Sequence, residues 1–417
     1  MRHAMALVLS GGSGDRLSVL SAERAVSAIP FGGKYRIVDF VLSNCCHSEI
    51  ERVSVLTQHA PTSLHDHLGS GRLWDLDRRG GGVEILQPFL TREHAGWYRG
   101  TADALAQNTD AIMASHAAQV LVLSGDHVYK MDYRDLFRAH EARAAAVTLA
   151  VTAVPPGERQ RFGMVTVDRA GRVRQLEEKP KTTSARLASM GIYLFESEVL
   201  AECLRGHPVD LVLDVLRPLV EEGERVFAHE FEGYWDDVGT LESYYRANLD
   251  LVAPEPRLHL HDARWPILTR DEERPPVLML TGAEVEDSLV ANGCRVAGRV
   301  CRSILFPGVE VEAEATVVDS VVMQDTRILR GARVERAILD KFVRVGREAV
   351  VGSGADPRGD GVVASLTLAG KYAFVPERAR VGRGAVLGVG TGPEDFVENQ
   401  IRAGARVADH PAHADLR

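Results

Sequence analysis

The chain has 417 residues, 45% of them hydrophobic and 26% charged, which suits two or three globular domains. Its formal net charge of −9, with no basic cluster, argues against a nucleic-acid track, and no apolar run approaches the length of a membrane span. The five cysteines (Cys45, Cys46, Cys203, Cys294 and Cys301) fit neither a zinc pattern nor a disulfide framework. The first apolar run leads straight into glycines rather than into a leader cleavage site, so a reducing, cytoplasmic setting is expected.

Residues 5–9 read as a buried first strand. The stretch that follows, Ser10-Gly11-Gly12-Ser13-Gly14-Asp15-Arg16, lets the backbone turn tightly and present N–H groups to phosphate oxygens, with Arg16 as a fixed positive charge. Its spacing is neither the dinucleotide fingerprint nor the P-loop, since no Gly-Lys-Ser/Thr follows, and a plain strand-to-helix turn would use the same residues. Further on, residues 53–57, 120–123 and 147–154 are short runs rich in Val, Leu or Ala, whereas 102–115 and 133–144 carry helix formers at helical spacing. Alternating strands and helices predict an α/β domain with a mostly parallel sheet, whose ligands gather at the carboxyl ends of the strands. Both the glycine loop and Gly125-Asp126-His127 fall at such ends.

Breaks follow at 254–256 (Pro-Glu-Pro) and at the charged, Pro-rich stretch 271–276, with Trp265-Pro266-Ile267 between them as a packed connector. Beyond them aliphatic residues recur every six positions: Leu305, Val311, Val317, Met323 and Leu329, then Val345, Val351, Val375, Val381 and Leu387, often with Gly or Pro alongside. That period fits neither an α-helix nor simple alternation. It fits a parallel β-helix in which each side of a three-sided coil contributes one inward aliphatic residue and Gly or Pro eases the corner. An irregular β-sandwich is the competing interpretation, and 356–360 reads as a loop that interrupts the repeat.

Several side chains point to chemistry. Asp126 follows a strand end, and Asp237 lies in Tyr234-Trp235-Asp236-Asp237-Val238-Gly239-Thr240. Two carboxylates from separate strand ends suit Mg²⁺ held against a triphosphate, although each alone would serve as a helix cap and Asp236 rivals Asp237. Glu178-Lys179-Pro180 offers a lysine as a point charge for a phosphate, or simply a solvated loop. Trp97-Tyr98-Arg99-Gly100-Thr101-Ala102-Asp103 reads as a loop entering a helix capped by Thr101 or Asp103, its rings free to pack on a sugar or base or into the core. His127 reads as a hydrogen-bonding neighbour of Asp126, and His65 and His67 form no metal set.

Taken in order, the glycine loop, Phe31-Gly32-Gly33-Lys34-Tyr35-Arg36-Ile37-Val38-Asp39-Phe40, Leu42-Ser43-Asn44-Cys45, Leu56-Thr57-Gln58, Trp97 to Asp103, Gly125 to Tyr129, Glu178-Lys179-Pro180, Ser189-Met190-Gly191-Ile192-Tyr193 and Trp235 to Thr240 resemble the bacterial glucose-1-phosphate adenylyltransferase family over nearly the whole chain. The resemblance implies an α/β fold: a Rossmann-like nucleotidyltransferase domain (1–250), a connector (251–280) and a left-handed parallel β-helix (281–417). It implies that ATP and α-D-glucose 1-phosphate give ADP-glucose and pyrophosphate with Mg²⁺, feeding glycogen synthesis, in an allosteric homotetramer or a mixed tetramer with a homologous subunit. By motif, it implies Gly11, Gly12, Gly14 and Arg16 for the triphosphate, and Gln58 and Gly100 near the base. Tyr98, Gly163, Glu178, Lys179 and Ser189 fall to the sugar phosphate, and Asp126 and Asp237 to the metal. Arg16, Asp126 and Asp237 are the expected catalytic set.

Relative to the family pattern the chain departs at Val26 and Ser27, where a phosphate-contacting Lys-Pro pair is usual, and at Ser13. It departs again at Glu23, where some members carry a lysine for a phosphorylated effector. Loss of one such cation costs roughly a hundredfold to a thousandfold in rate. Three readings follow: an active adenylyltransferase in which another cation such as Lys34 substitutes, a low-activity regulatory or binding subunit, and a transferase for another nucleotide or sugar phosphate.

Overall fold

The computed structural model describes residues 4–78, 81–89, 96–354 and 366–410. The first strand, Ala4–Ser10, is buried on both faces, as its unbroken apolar run requires. It lies between Gln119–Ser124 and Arg52–Thr57, and Gly82–Leu86 extends the same parallel set. The sheet is mixed rather than mostly parallel. Leu187–Glu196 runs antiparallel to Gln119–Ser124, and so does the Gly163–Val167/Val173–Glu178 hairpin to its own neighbours. Alternation of strand and helix gives way between residues 163 and 196, where three consecutive strands follow one another without an intervening helix; it returns with the helical segment 197–221, which leads to Val226–Glu230, parallel to Val147–Ala153.

Leu187–Glu196 also carries a register shift between Ser189 and Tyr193, around Gly191 at φ +67°. The predicted helix 102–115 is two helices, Thr101–Gln107 and Thr109–Ala114, parted at Asn108. Asn108 is buried there, and its side-chain amide donates to the Ala104 carbonyl and to the Tyr98 hydroxyl. Asn44 and Ser43 of the Ile37–His47 helix take hydrogen bonds from the Trp265 indole and the Leu268 N–H, which tie the connector to the N-terminal domain.

From Leu278 onward, strands of two to four residues stack into three all-parallel sheets, the walls of a three-sided β-helix. The inward ladder over the middle coils is Leu305, Val311, Val317, Val322, Ile328, Val334, Leu339, Val345 and Val351. Two positions of the six-residue series are therefore corrected. Val322 and Ile328 point inward, whereas Met323 faces the N-terminal domain and Leu329 is half-buried. The reason lies in the corners. Residues of positive φ fall at 302, 308, 314, 319, 325, 331, 336, 342 and 348, in steps of six, six and five. One side of each coil is a residue shorter, so a strict period of six slips once per turn.

Only Gly308 and Gly331 of these corners are glycine; Arg302, Glu314, Asp319, Asp325, Arg336, Phe342 and Glu348 hold the left-handed conformation with side chains. Each is strained by roughly 1–2 kcal/mol, which the ladder bonds on either side offset. The interruption predicted at 356–360 lies outside the described residues.

One side of the β-helix packs on the N-terminal α/β domain. Ile304, Phe306, Val321, Met323, Ile338 and Leu368 join Leu17, Val26, Phe31 and Tyr244 in one apolar cluster. Through it runs a buried ion pair: Arg24 Nη2 reaches both Asp340 oxygens at 2.7 Å, with the side chains 2% and 0% exposed. Beside it burial, Arg24 and Arg36 push the Lys341 ammonium down to about 7.

Below pH 7 Lys341 is charged in both folded and unfolded chains, and the folded state bears the full cost. As pH rises towards about 10 the unfolded chain keeps a proton that the folded chain has released, so stability climbs. Lys341→Met is therefore expected to stabilise the protein by roughly 2–4 kcal/mol at pH 6, with the gap to the parent closing near pH 10. Calorimetric melts across that range read it; a gap independent of pH would refute the assignment.

Candidate active site

The glycine loop leaves the first strand at its carboxyl end. Gly14 has φ +68°, and its carbonyl accepts from Leu17 N at 2.8 Å and from Ser21 Oγ at 2.7 Å. A Cβ at Gly14 would meet Val26 Cγ2 at 2.5 Å, so only glycine fits. Gly12, Ser13 and Arg16 are exposed, and a Cβ on Gly12 would meet nothing within 4 Å, which leaves the loop's outer face free for a ligand. A Cβ at Gly11 would lie 3.4 Å from Gln58 Cβ. The Gln58 amide in turn donates to the Tyr98 carbonyl at 3.3 Å and accepts from Tyr98 N at 2.5 Å. These contacts form one wall.

Asp126 immediately precedes the short strand His127–Tyr129, which pairs with Trp235–Asp237 so that Asp237 lies opposite His127. Gly239 marks where the charges meet: a Cβ there would fall 2.8 Å from Asp237 Oδ1, 3.4 Å from Arg16 Nη2 and 3.8 Å from Asp126 Oδ2. Asp237 Oδ1 accepts from Gly239 N at 2.8 Å, and Ser124 Oγ donates to Asp126. His127 Nδ1 donates to the Met190 carbonyl at 3.0 Å, and Nε2 stands 3.5 Å from Asp126 Oδ1.

Ligand atoms of Asp126, His127 and Asp237 all lie within 4.8 Å of one another. Two carboxylates are the hard oxygen donors that Mg²⁺ requires, so the residues fit that ion. Alternation along the strand decides between the two aspartates. Asp236 points the other way, 7% exposed, with Arg246 at 3.7 Å, and burial raises its carboxyl to about 6 against the pull of Arg246 and Arg161.

Gly163, Glu178 and Ser189 form a second group. A Cβ at Gly163 would sit 3.1 Å from Glu178 Oε2 and 3.8 Å from Ser189 Cβ. Lys179 Nζ pairs with Glu178 at 3.0 Å, its backbone held at φ +45° by a bond from its N–H to the Phe162 carbonyl. The register shift at Gly191 brings the chain close to His127: a Cβ there would be 3.1 Å from both His127 Cε1 and Ser124 Cβ.

Two expected residues also carry constraints from their own packing. Tyr98 is 8% exposed in the core, its hydroxyl accepts from Asn108 at 2.9 Å, and its backbone contacts run to Gln58 rather than to the Glu178 group. Gly100 is glycine because a Cβ would meet the Val209 carbonyl at 2.4 Å, which is a packing requirement. Lys34 does not join the charged centre either. It pairs with Asp271 at 3.6 Å and lines a cavity of about 520 Å³ with Arg36, His67 and Arg270, and Gln324 of the β-helix lines it too. Val26 is 9% exposed within the interdomain apolar cluster, and Glu23 is neutralised by Lys371 of the β-helix at 2.9 Å.

Sequence reasoning missed Tyr193 and Arg161. The Tyr193 hydroxyl accepts from Ser189 Oγ at 3.0 Å, and burial with Glu178 and Asp210 nearby pushes it up to about 12. Arg161 Nη2 donates to the Asp237 carbonyl at 3.3 Å while Nη1 pairs with Glu158 at 3.3 Å. Tyr193 lay inside a quoted motif and was within reach; Arg161 stood in a charged stretch with no pattern.

Residues 5–253 match the nucleotidyl transferase family model, and 280–367 match the GlmU-like C-terminal hexapeptide model. A glucose-1-phosphate adenylyltransferase of Thermomicrobium roseum is 48% identical over 98% of each chain. The chain belongs to the glucose-1-phosphate adenylyltransferase family. Other members so named are 43% identical over 88% of this chain (Bacillus mycoides) and 40% over 97% (Pseudothermotoga lettingae), each match covering 98% of the relative. In this family member no described helix is long and apolar enough to cross a membrane.

Proposed function

We propose that the chain transfers the adenylyl group of ATP to α-D-glucose 1-phosphate, giving ADP-glucose and pyrophosphate. The supporting observation is the convergence of Arg16, Asp126 and Asp237 at Gly239, between the exposed glycine loop and the Gly163/Glu178/Ser189 group. A phosphate oxygen of the sugar attacks the α-phosphorus and pyrophosphate leaves, so no side chain need act as nucleophile. Exposed N–H groups of Gly11, Gly12 and Ser13 and the Arg16 guanidinium receive the triphosphate charge. Lys179 serves the sugar phosphate, and Gly163 leaves space for a sugar against Glu178 and Ser189. Mg²⁺ held by Asp126 and Asp237 would neutralise phosphate charge.

The test is pyrophosphate release by the purified chain with ATP, glucose 1-phosphate and Mg²⁺; inertness with these, and turnover with another nucleotide or sugar phosphate, would overturn the substrate assignment. In this reading the enzyme supplies cytoplasmic glycogen synthesis as a homotetramer or in a mixed tetramer, under allosteric control.

Val26 favours a second reading, a low-turnover regulatory or binding subunit, because a buried methyl group replaces a cation. Val26→Lys separates the two. For an active enzyme it is expected to change kcat less than tenfold and to lower the melting temperature, since the longer chain must displace the apolar cluster around Gly14. A silent chain brought to measurable turnover by that substitution would establish the subunit reading.

A further inference from the structure

A second cavity, of about 590 Å³, opens on the Asp236 side of the Trp235–Asp237 strand. It is walled by the end of the Val147–Ala153 strand, by Glu158 and Phe162, by Tyr234 to Asp236, and by Arg246 and Arg257. Arg16, Asp126, Asp237, Glu178 and Ser189 take no part in its lining, and the Trp235 ring, packed on His127 at 5.2 Å, stands between it and the Asp126–Asp237 centre. Its size is that of a small-molecule site.

The polar groups around it are incompletely paired. Tyr234 Oη and Trp235 Nε1 are buried and have no hydrogen-bond partner among the described residues. Asp236 is 7% exposed, yet Arg246 stands 3.7 Å from it, beyond hydrogen-bond reach, and Arg246 is 3.5 Å from Glu158. Buried polar groups left this way call for a partner, either water or ligand. The character of that partner follows from the lining.

Two cations face two carboxylates, so the wall is neutral. Arg257 is already held by Asp250 at 3.0 Å and lies over the Tyr234 ring at 5.2 Å, and Arg246 is shared between two acids. Each of the two lining cations already has a carboxylate within 4 Å, which leaves little positive charge for a phosphate. Tyr234 and Arg246 offer donors, Asp236 and Glu158 offer acceptors, and the Phe162 and Tyr234 rings add apolar surface to the lining. A hydroxyl both donates and accepts, and a sugar ring offers many of them around an apolar face.

We propose that this cavity is a second carbohydrate site, taking a neutral sugar rather than a sugar phosphate. Glu158 also pairs with Arg161, which holds the Asp237 carbonyl, so a sugar on Glu158 pulls on the strand that carries Asp237. That coupling, but not the binding, rests on reading Asp237 as a metal ligand.

Calorimetric titration of the full chain with glucose, maltose and inorganic phosphate tests it, repeated with saturating glucose 1-phosphate present. The expected result is saturable binding of glucose or maltose, none of phosphate, and no competition by glucose 1-phosphate. Tyr234→Phe, which keeps the ring, should weaken binding about tenfold through one lost hydrogen bond, and Arg246→Ala more. Glu178→Gln should leave it unchanged. Absence of saturable sugar binding, competition by glucose 1-phosphate, sensitivity to Glu178→Gln, or binding of phosphate in place of sugar overturns the proposal. Pyrophosphate release is measured on the same samples: turnover without sugar binding refutes this site alone, and sugar binding without turnover refutes only the catalytic reading.

Discussion

Asp237→Asn is expected to lower kcat about a thousandfold while leaving the fold intact. Asparagine keeps the carbonyl oxygen that accepts from Gly239 N, so the turn into the Leu241–Asp250 helix is preserved. What is lost is the negative charge beside Arg16 and Asp126, and with it most of the affinity for a hard divalent cation. The matched control is Asp236→Asn, one residue away on the opposite face, for which a change in kcat of less than tenfold is expected. Steady-state pyrophosphate release over a Mg²⁺ titration reads both, and the Asp237 variant should also demand more Mg²⁺ for half-maximal rate. If Asp237→Asn kept a tenth of the parent rate, or if Asp236→Asn proved the more damaging of the two, the assignment of the metal carboxylate would be wrong.

Arg24→Ala is expected to destabilise the protein by about 3–5 kcal/mol. It strands the Asp340 carboxylate, 0% exposed and bidentate to Arg24, in the apolar contact between the domains. The loss reflects the unpaired buried charge more than the strength of the bond, so the double variant Arg24→Met with Asp340→Leu should recover most of it. Denaturant unfolding followed separately through catalytic-domain and β-helix probes reads the effect, with the two transitions separating in the single variant. A single variant as stable as the parent would show that the pair adds nothing to domain docking. Because Arg24 lies two residues before Val26, whose methyl packs under Gly14, a loosened interface is also expected to raise the KM for ATP.

Local signals carried much of the fold. The buried first strand, the glycine loop after it and the aliphatic repeat of the β-helix are each set by neighbours along the chain: period, burial and turn chemistry. Where the reading slipped, the cause was non-local. Nothing near Leu187–Glu196 announces that it pairs antiparallel with Gln119–Ser124, because strand direction is chosen by the partner. The six-residue period lost register at Met323 because that side chain belongs to the docking surface, and one shortened corner per coil moved the inward position to Val322.

The sequence by itself determined the two architectures, the glycine loop at the end of the first strand, and Asp126 with either Asp236 or Asp237 as metal candidates, since residue types and spacing encode these directly. Tertiary structure alone decided that Asp237 rather than Asp236 meets Arg16, that Tyr98 turns into the core, that Lys34 serves the domain interface, and that Arg161 supports the catalytic strand. Each of these depends on which surface a side chain meets across distances of tens to hundreds of residues. Composition and period contain no record of that encounter; only the packed chain does.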